Sequence, residues 1–338
     1  MTTFENRLKK YLAMRGIESL IQRLNPDAST REYFRIEWHK RTAIACVYPE
    51  GAKNDFLNYL DVTRLFRNAG IPVAELYDYD ESELITIQED LGNRILRNEI
   101  TSLATKDAEN FLDSAISLIA KIQSATYIAY NTDSIAGKLR FDKEKLKWEL
   151  DFFKTHFFET LLETRLDPEV EEGLDSEFSL LAEKLEAAGR VLCHRDFHPA
   201  NLMIDQRGQL RVIDHQDARI GPASYDLVSL LLDRVHEVPQ EDWVNHCIEK
   251  FLKARSLSDL DDLKFRDFAE EFELQAIQRC IKAIGTFSYQ SAVRDKKHFL
   301  QYIRPMFEII SRSAGKFPEF RQIYAIASNQ ARTFEFTV

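Results

Sequence analysis

Residues 194–201 read HRDFHPAN, and VIDHQDA follows at 212–218. Eight residues thus hold two histidines, an arginine, an aspartate and an asparagine, directly after the apolar VLC. Transfer of a phosphoryl group to a hydroxyl needs a carboxylate beside the attacking oxygen and hard oxygen ligands for magnesium, because the reaction is mostly positioning and neutralisation of phosphate charge. The spacing H-R-D-x-x-x-x-N meets that demand. Asp196 would receive or orient the hydroxyl proton, while Asn201 and Asp214 would supply the oxygen ligands. Magnesium keeps few protein ligands, so one amide oxygen and one carboxylate suffice.

Two other chemistries compete for the same residues. His194, Asp196, His198, Asp214 and His215 can be drawn as the zinc set of a metallohydrolase. The remaining histidines, His39, His156, His236, His246 and His298, fall in unrelated helical or hairpin contexts, which weakens that set. The plainer alternative is a polar turn with a satisfied, buried His194. The four spaced residues and the later VID weigh the cluster toward phosphoryl transfer.

The elements that position this cluster follow from periodicity. At 338 residues, 44% hydrophobic and 30% charged, the chain can bury a sizeable core and is expected to form two lobes or domains. A helix is expected over residues 3–24, from Phe4, Leu8, Tyr11, Leu12, Ile21 and Leu24. REYFRIEW and TAIACVYP then read as a hairpin, residues 55–67 as a helix, and AELYDYD and ELITIQE as two further strands. From about residue 105 the pattern is helical, over 105–126, 141–158, 168–188, 223–235, 240–254, 262–287 and 296–312. Short β-like pieces, RVLCHRD, NLMID and LRVIDH, interrupt it around the cluster. The fold class is α+β, with lobes at 1–92 and 93–338 joined at EDLGN and a ligand expected in the cleft between them.

Bulk charge narrows the partners. A net charge of -10 has the wrong sign for nucleic acid or an anionic membrane surface. Four cysteines lie far apart with no C-x-x-C pair, which argues for free thiols in a reducing compartment. The start MTTFENRLKK lacks the apolar core of a secretion signal, and the longest aliphatic runs fall short of the roughly 20 residues of a membrane span. A cytoplasmic protein is expected, and nothing in the pattern speaks to its oligomeric state.

CHRDFHPANLMI followed by LRVIDHQDARIGPASYDLVSLL resembles the aminoglycoside phosphotransferase and choline kinase superfamily, whose fold is protein-kinase-like. Within it, DASTREYFR at 27–35, QEDLG at 88–92 and LQAIQRCIKAIGTFSY at 274–289 resemble the bacterial cell-wall sugar kinases that phosphorylate the anomeric hydroxyl of N-acetylmuramate and N-acetylglucosamine. The resemblance implies an ATP- and Mg²⁺-dependent kinase acting on a small amino sugar in cell-wall recycling. It implies a two-lobed fold, with a small sheet-containing, nucleotide-binding N-lobe and a larger, mostly helical C-lobe that carries the catalytic loop and the acceptor. Carried over residue by residue, Asp196 is the catalytic aspartate and Asn201 and Asp214 are the magnesium ligands. His194 and Arg195 become structural, His198 fixes the turn, and Asp226 buttresses the loop, with a helix N-terminal charge as its alternative role. A kinase of another small alcohol, such as an aminoglycoside or choline, a zinc hydrolase and a catalytically silent nucleotide-binding module are the competing functions.

The first 92 residues depart from the kinase pattern. They hold no G-x-G-x-x-G loop, and the strand that should carry the phosphate-binding lysine reads TAIACVYPEG, with Val47 or Tyr48 in its place. The next helix offers only Asp55 and Asp61, so the usual lysine–glutamate pair cannot form. Backbone N–H groups and hydroxyls at Ser29 and Thr30, with Arg31 or Arg35 as the charge, are the candidate replacement. Strand alternation sets Tyr33 and Arg35 on one face and Phe34 and Ile36 on the other. Adenine is expected on the backbone of Gln88, Glu89 and Asp90, between Ile44 and Met203. Glu149 and Phe152, on the aromatic stripe KWELDFFKTHFF, are the candidate acceptor contacts.

Overall fold

The structure is a computed structural model and describes residues 3–24, 30–100, 104–258 and 260–335. The chain divides into two compact units: Met1–Phe111 with Ile128–Ile135 and Pro199–Ala218, and Leu112–Tyr127 with Ala136–His198 and Arg219–Val338. The first is built on a sheet and the second is mostly helical, the expected α+β class.

In the first unit, β1 (Gln22–Leu24), β2 (Glu32–Trp38), β3 (Arg41–Val47), β4 (Leu76–Asp80) and β5 (Ile85–Glu89) form one antiparallel sheet in the order β1-β2-β3-β5-β4. The turn between β2 and β3 uses His39 and Lys40, both with positive φ, the two-residue geometry whose twist matches its strands. The period of two sends Phe34 and Ile36 inward, where they pack with Ala45, Val47, Ile85 and Ile87 against Leu8, Tyr11 and Leu12 of the Thr3–Met14 helix. Tyr33 and Arg35 therefore share the opposite face, in register with Cys46 and Ile44. The hairpin of Leu202–Ile204 and Leu210–Val212 belongs to the same unit.

The expected 3–24 helix is shorter than its spacing suggests. It ends at Met14, Gly16 takes φ +66, and Gln22–Leu24 pairs as an edge strand with β2. The free edge of a strongly formed hairpin recruits the segment, and that pairing overrides the helical spacing of Ile21 and Leu24. The Lys53–Asn68 helix and both later strands lie where expected.

In the second unit, Val191–Cys193 pairs with Arg219–Gly221, a three-residue strand that the sequence pattern does not announce. The expected 141–158 helix runs as an α-helix over Lys143–Phe153 and then widens to π winding over Lys154–Leu161. It packs on the long Phe265–Ala292 helix at Gly285, where an added Cβ would stand 2.9 Å from the Phe153 Cα. Only glycine permits so close a backbone approach. The expected 296–312 helix starts with a 3₁₀ turn, Lys297–Tyr302, and a final helix, Arg321–Thr333, was not expected at all. No helix among the described residues is long and apolar enough to cross a membrane.

Candidate active site

In the second unit the Val191–Cys193 strand delivers the loop that carries the HRD residues. Asp226, in the first turn of the Tyr225–Leu232 helix and fully buried, accepts the backbone N–H groups of His194 at 2.6 Å and Arg195 at 3.0 Å. Those bonds hold Arg195 at φ 88, a conformation that costs a non-glycine residue about 1–3 kcal/mol. His194 is buried edge-on against Phe197. His198 donates its backbone N–H to the Asp196 carbonyl at 3.1 Å, and its Nε2 lies 3.2 Å from Arg234, which itself pairs with Asp233.

The Asp196 side chain remains about a third exposed and faces two cations from the Phe265–Ala292 helix. Arg279 Nη2 stands 3.1 Å from Oδ1 and Lys282 Nζ stands 3.9 Å from it. The two cations are three residues apart, so helical geometry puts them on one face. Burial alone would raise the Asp196 carboxyl, but Lys282, Arg279 and Arg195 outweigh it and hold the group well below the usual carboxylate range.

Glu149 lies behind this centre and is 2% exposed. Its Oε2 accepts from Gln278 at 2.9 Å, while Oε1 faces Lys282 at 3.7 Å and Arg195 at 4.0 Å. Phe152, one turn further on, belongs to an aromatic strip with Trp148, His156 and Tyr289, with ring centroids 4.0–6.0 Å apart. Glu149, Phe152 and His156 recur at helical spacing on one side, and Lys282 and Tyr289 on the other, so the strip leads away from Asp196 in steps of a turn.

The first unit carries Asn201 and Asp214. The 3₁₀ turn Pro199–Asn201 is tied to the segment just before Asp214, because the Asn201 carbonyl accepts the Ile213 N–H at 3.1 Å. Asp214 takes φ 61, is 40% exposed, and accepts from Gln216 and from Arg31, each at 2.9 Å. His215 is turned inward, 2.7 Å from Thr63 and stacked on Phe66. With His194 also buried, both histidines at the ends of the zinc set are taken up by packing.

Arg31 and Arg35, equal candidates in the sequence, go to different partners. Arg31 reaches Asp214, its guanidinium 5.5 Å from the ring of Tyr48 and 5.8 Å from that of Tyr33. Arg35 makes a two-pronged contact with Asp90, at 2.6 and 3.0 Å, and another with Asn93 at 2.8 Å. Ile44 lies opposite Gln88 in the sheet register, and the Gln88 side chain is engaged by the Tyr59 hydroxyl. The Glu89 carboxylate pairs with Arg211 at 3.0 Å, and its N–H donates to the Glu75 carbonyl at 2.8 Å. Met203 sits in the second hairpin opposite Arg211. Thr30 is exposed, and Ser29 lies outside the described residues.

Sequence reasoning passed over Arg279 and Lys282, although the segment holding them had been singled out. The available signal was an arginine and a lysine spaced i, i+3 inside the apolar AIQRCIKAIGTF, where a buried charge demands a partner.

A profile of the phosphotransferase enzyme family matches residues 20–280. The N-acetylmuramate/N-acetylglucosamine kinase of Neisseria meningitidis is 30% identical over 312 residues, covering 89% of this chain and 87% of the relative. The kinase of the same name from Pseudomonas aeruginosa is 25% identical over 299 residues, covering 88% and 84%. Among solved structures, an ADP-bound aminoglycoside phosphotransferase superposes with a TM-score of 0.58 at 14% identity, over 90% of this chain and 97% of the other. A choline kinase from Streptococcus pneumoniae does so with a TM-score of 0.57 at 15% identity, over 89% and 99%. The fold is thus protein-kinase-like, and the zinc hydrolase and the silent module give way to a transferase. The chain belongs to the phosphotransferase enzyme family and is a small-molecule kinase with a hydroxyl group as acceptor.

Proposed function

We propose that the enzyme uses ATP and Mg²⁺ to phosphorylate the anomeric hydroxyl of N-acetylmuramate, N-acetylglucosamine or both, in cytoplasmic recycling of cell-wall sugars. The observation that carries this reading is the Asp196 carboxylate beside Arg279 and Lys282, held well below its usual range. A carboxylate so stabilised is a weak base, suited to a hydroxyl that gives up its proton easily. An anomeric hydroxyl is more acidic than an ordinary alcohol. The names of the relatives support the same acceptors, and the strip of Trp148, Phe152, His156 and Tyr289 offers an apolar wall to a sugar ring.

In this scheme residues 1–92 hold the nucleotide and residues 93–338 supply the catalytic loop and the acceptor contacts. Thr30 and Arg31 serve the phosphates. Ile44, Gln88, Glu89, Asp90 and Met203 frame the base, and Arg35 braces Asp90. Asn201 and Asp214 offer oxygen ligands alone, a hard set that fits magnesium, and the Asp214 side chain is 40% exposed. The ion, when bound, would neutralise phosphate charge. Asp196 orients the acceptor hydroxyl and takes its proton as the new O–P bond forms and the bond to the leaving ADP breaks. His194, Arg195, His198 and Asp226 keep the loop in shape, and Phe152 contacts the acceptor while Glu149 stands behind it.

Replacing Asp196 by Asn is expected to lower kcat by at least about 10²-fold with nucleotide affinity nearly unchanged, the signature of a lost general base. Retention of more than half of the turnover would remove Asp196 from that role.

A further inference from the structure

The Phe265–Ala292 helix sets two cations, Arg279 and Lys282, beside Asp196. We propose that Lys282 is a positioning residue: its ammonium, held between the buried Glu149 and Asp196, keeps the Asp196 carboxylate in place for the acceptor hydroxyl. The inference rests on the assignment of Asp196 as the base.

Lys282 is half-buried, its side chain 16% exposed, and its Nζ stands 3.7 Å from Glu149 Oε1 and 3.9 Å from Asp196 Oδ1. A buried ammonium is costly unless paired, and here one ammonium serves two carboxylates. Glu149 is the fixed one, locked by Gln278 at 2.9 Å and shut off from solvent. Asp196 is the partly exposed one. The arrangement therefore ties the reacting carboxylate to a rigid anchor through a single charge.

The groups facing Lys282 are Arg279 on its own helix, Glu149 on the Lys143–Phe153 helix, and Asp196 and Arg195 on the catalytic loop. Tyr225 and Asp226 of the Tyr225–Leu232 helix and Asp233 stand beyond them, around Arg279 and the loop. Burial and the neighbouring Arg279 push Lys282 down to about 8, against the opposing pull of Glu149 and Asp196. The sign follows: below about pH 8 the ammonium is charged and Asp196 is held, and as pH rises through that value the charge and the hold are lost together.

The test is an NMR titration of the full chain labelled with ¹³C at lysine Cε, with the Lys282 signal assigned by its absence in Lys282→Arg. One lysine is expected to titrate near pH 8. Asp196→Asn should move that titration lower, because the carboxylate that favours the charged lysine is gone, and Glu149→Gln should do the same. If no lysine titrates below its ordinary range, or if Asp196→Asn leaves the titration in place, the inference is wrong. A kinetic arm runs beside it with ATP, Mg²⁺ and N-acetylglucosamine. The basic limb of kcat should lie near pH 8 in the wild type and move up by at least about one unit in Lys282→Arg, whose side chain stays charged. Lys282→Met should lose at least about ten-fold in kcat while its KM for ATP stays within about two-fold. A limb at the same pH in wild type and Lys282→Arg overturns the inference alone. Full turnover in Asp196→Asn would instead overturn the assignment of Asp196.

Discussion

Arg31 and Asp214 are 183 residues apart in sequence, yet the guanidinium Nη2 of one lies 2.9 Å from Oδ1 of the other. The contact puts a fixed positive charge against a proposed magnesium ligand in a chain with Val47, at the end of β3, and Tyr48 just after it where a lysine is usual in the superfamily it resembles. Arg31 lies just before β2, with its guanidinium 5.5 Å from the ring of Tyr48.

Arg31→Met is therefore expected to raise the KM for ATP by at least about ten-fold, with the acceptor KM changed less than about two-fold. Arg35→Met should behave differently, because its partners are Asp90 and Asn93. Loss of that two-pronged contact should cost about 1–3 kcal/mol of stability and only modestly affect the KM. Steady-state kinetics and thermal melts on the two variants separate the roles. Equal effects on the KM would contradict them.

The proposed metal ligands Asn201 and Asp214 are oxygen ligands, a set that favours Mg²⁺ or Mn²⁺ over Zn²⁺. Asp214→Ala should lose Mn²⁺ binding measured by electron paramagnetic resonance in the presence of ATP, and EDTA-treated wild type should regain activity with Mg²⁺ or Mn²⁺. Stoichiometric zinc in the purified protein, with activity lost on its removal, would contradict the assignment.

Gly285 should tolerate no side chain. An added Cβ would meet the Phe153 Cα at 2.9 Å, and both groups are helix backbone with nowhere to move. Gly285→Ala should cost about 1–3 kcal/mol, read as a lower Tm, and should shift Lys282 relative to Glu149 enough to reduce kcat. An unchanged Tm would show that the helices can separate at no cost.

The parts legible in sequence were those written in short-range patterns. The β2–β3 hairpin announces itself by alternation, and the candidate cluster by spacing, since Asp196 and Asn201 lie five residues apart. What escaped depends on partners far along the chain. Nothing near Arg31 or Arg35 says that one finds Asp214 and the other Asp90. Arg279 and Lys282 sit in a helix buried on most sides, where the periodicity that marks a functional face is washed out. Gln22–Leu24 and Arg219–Gly221 are strands of three residues, stabilised by the neighbour they pair with rather than by their own composition.

Phosphorylation at the anomeric oxygen stands or falls on where the phosphorus goes. The enzyme is incubated with ATP, Mg²⁺ and N-acetylmuramate or N-acetylglucosamine, and the product is examined by NMR for coupling between phosphorus and the C1 proton. That coupling is expected, with no turnover of the 1-deoxy sugar. Phosphorus on C6, or a 1-deoxy sugar consumed at an undiminished rate, would contradict it.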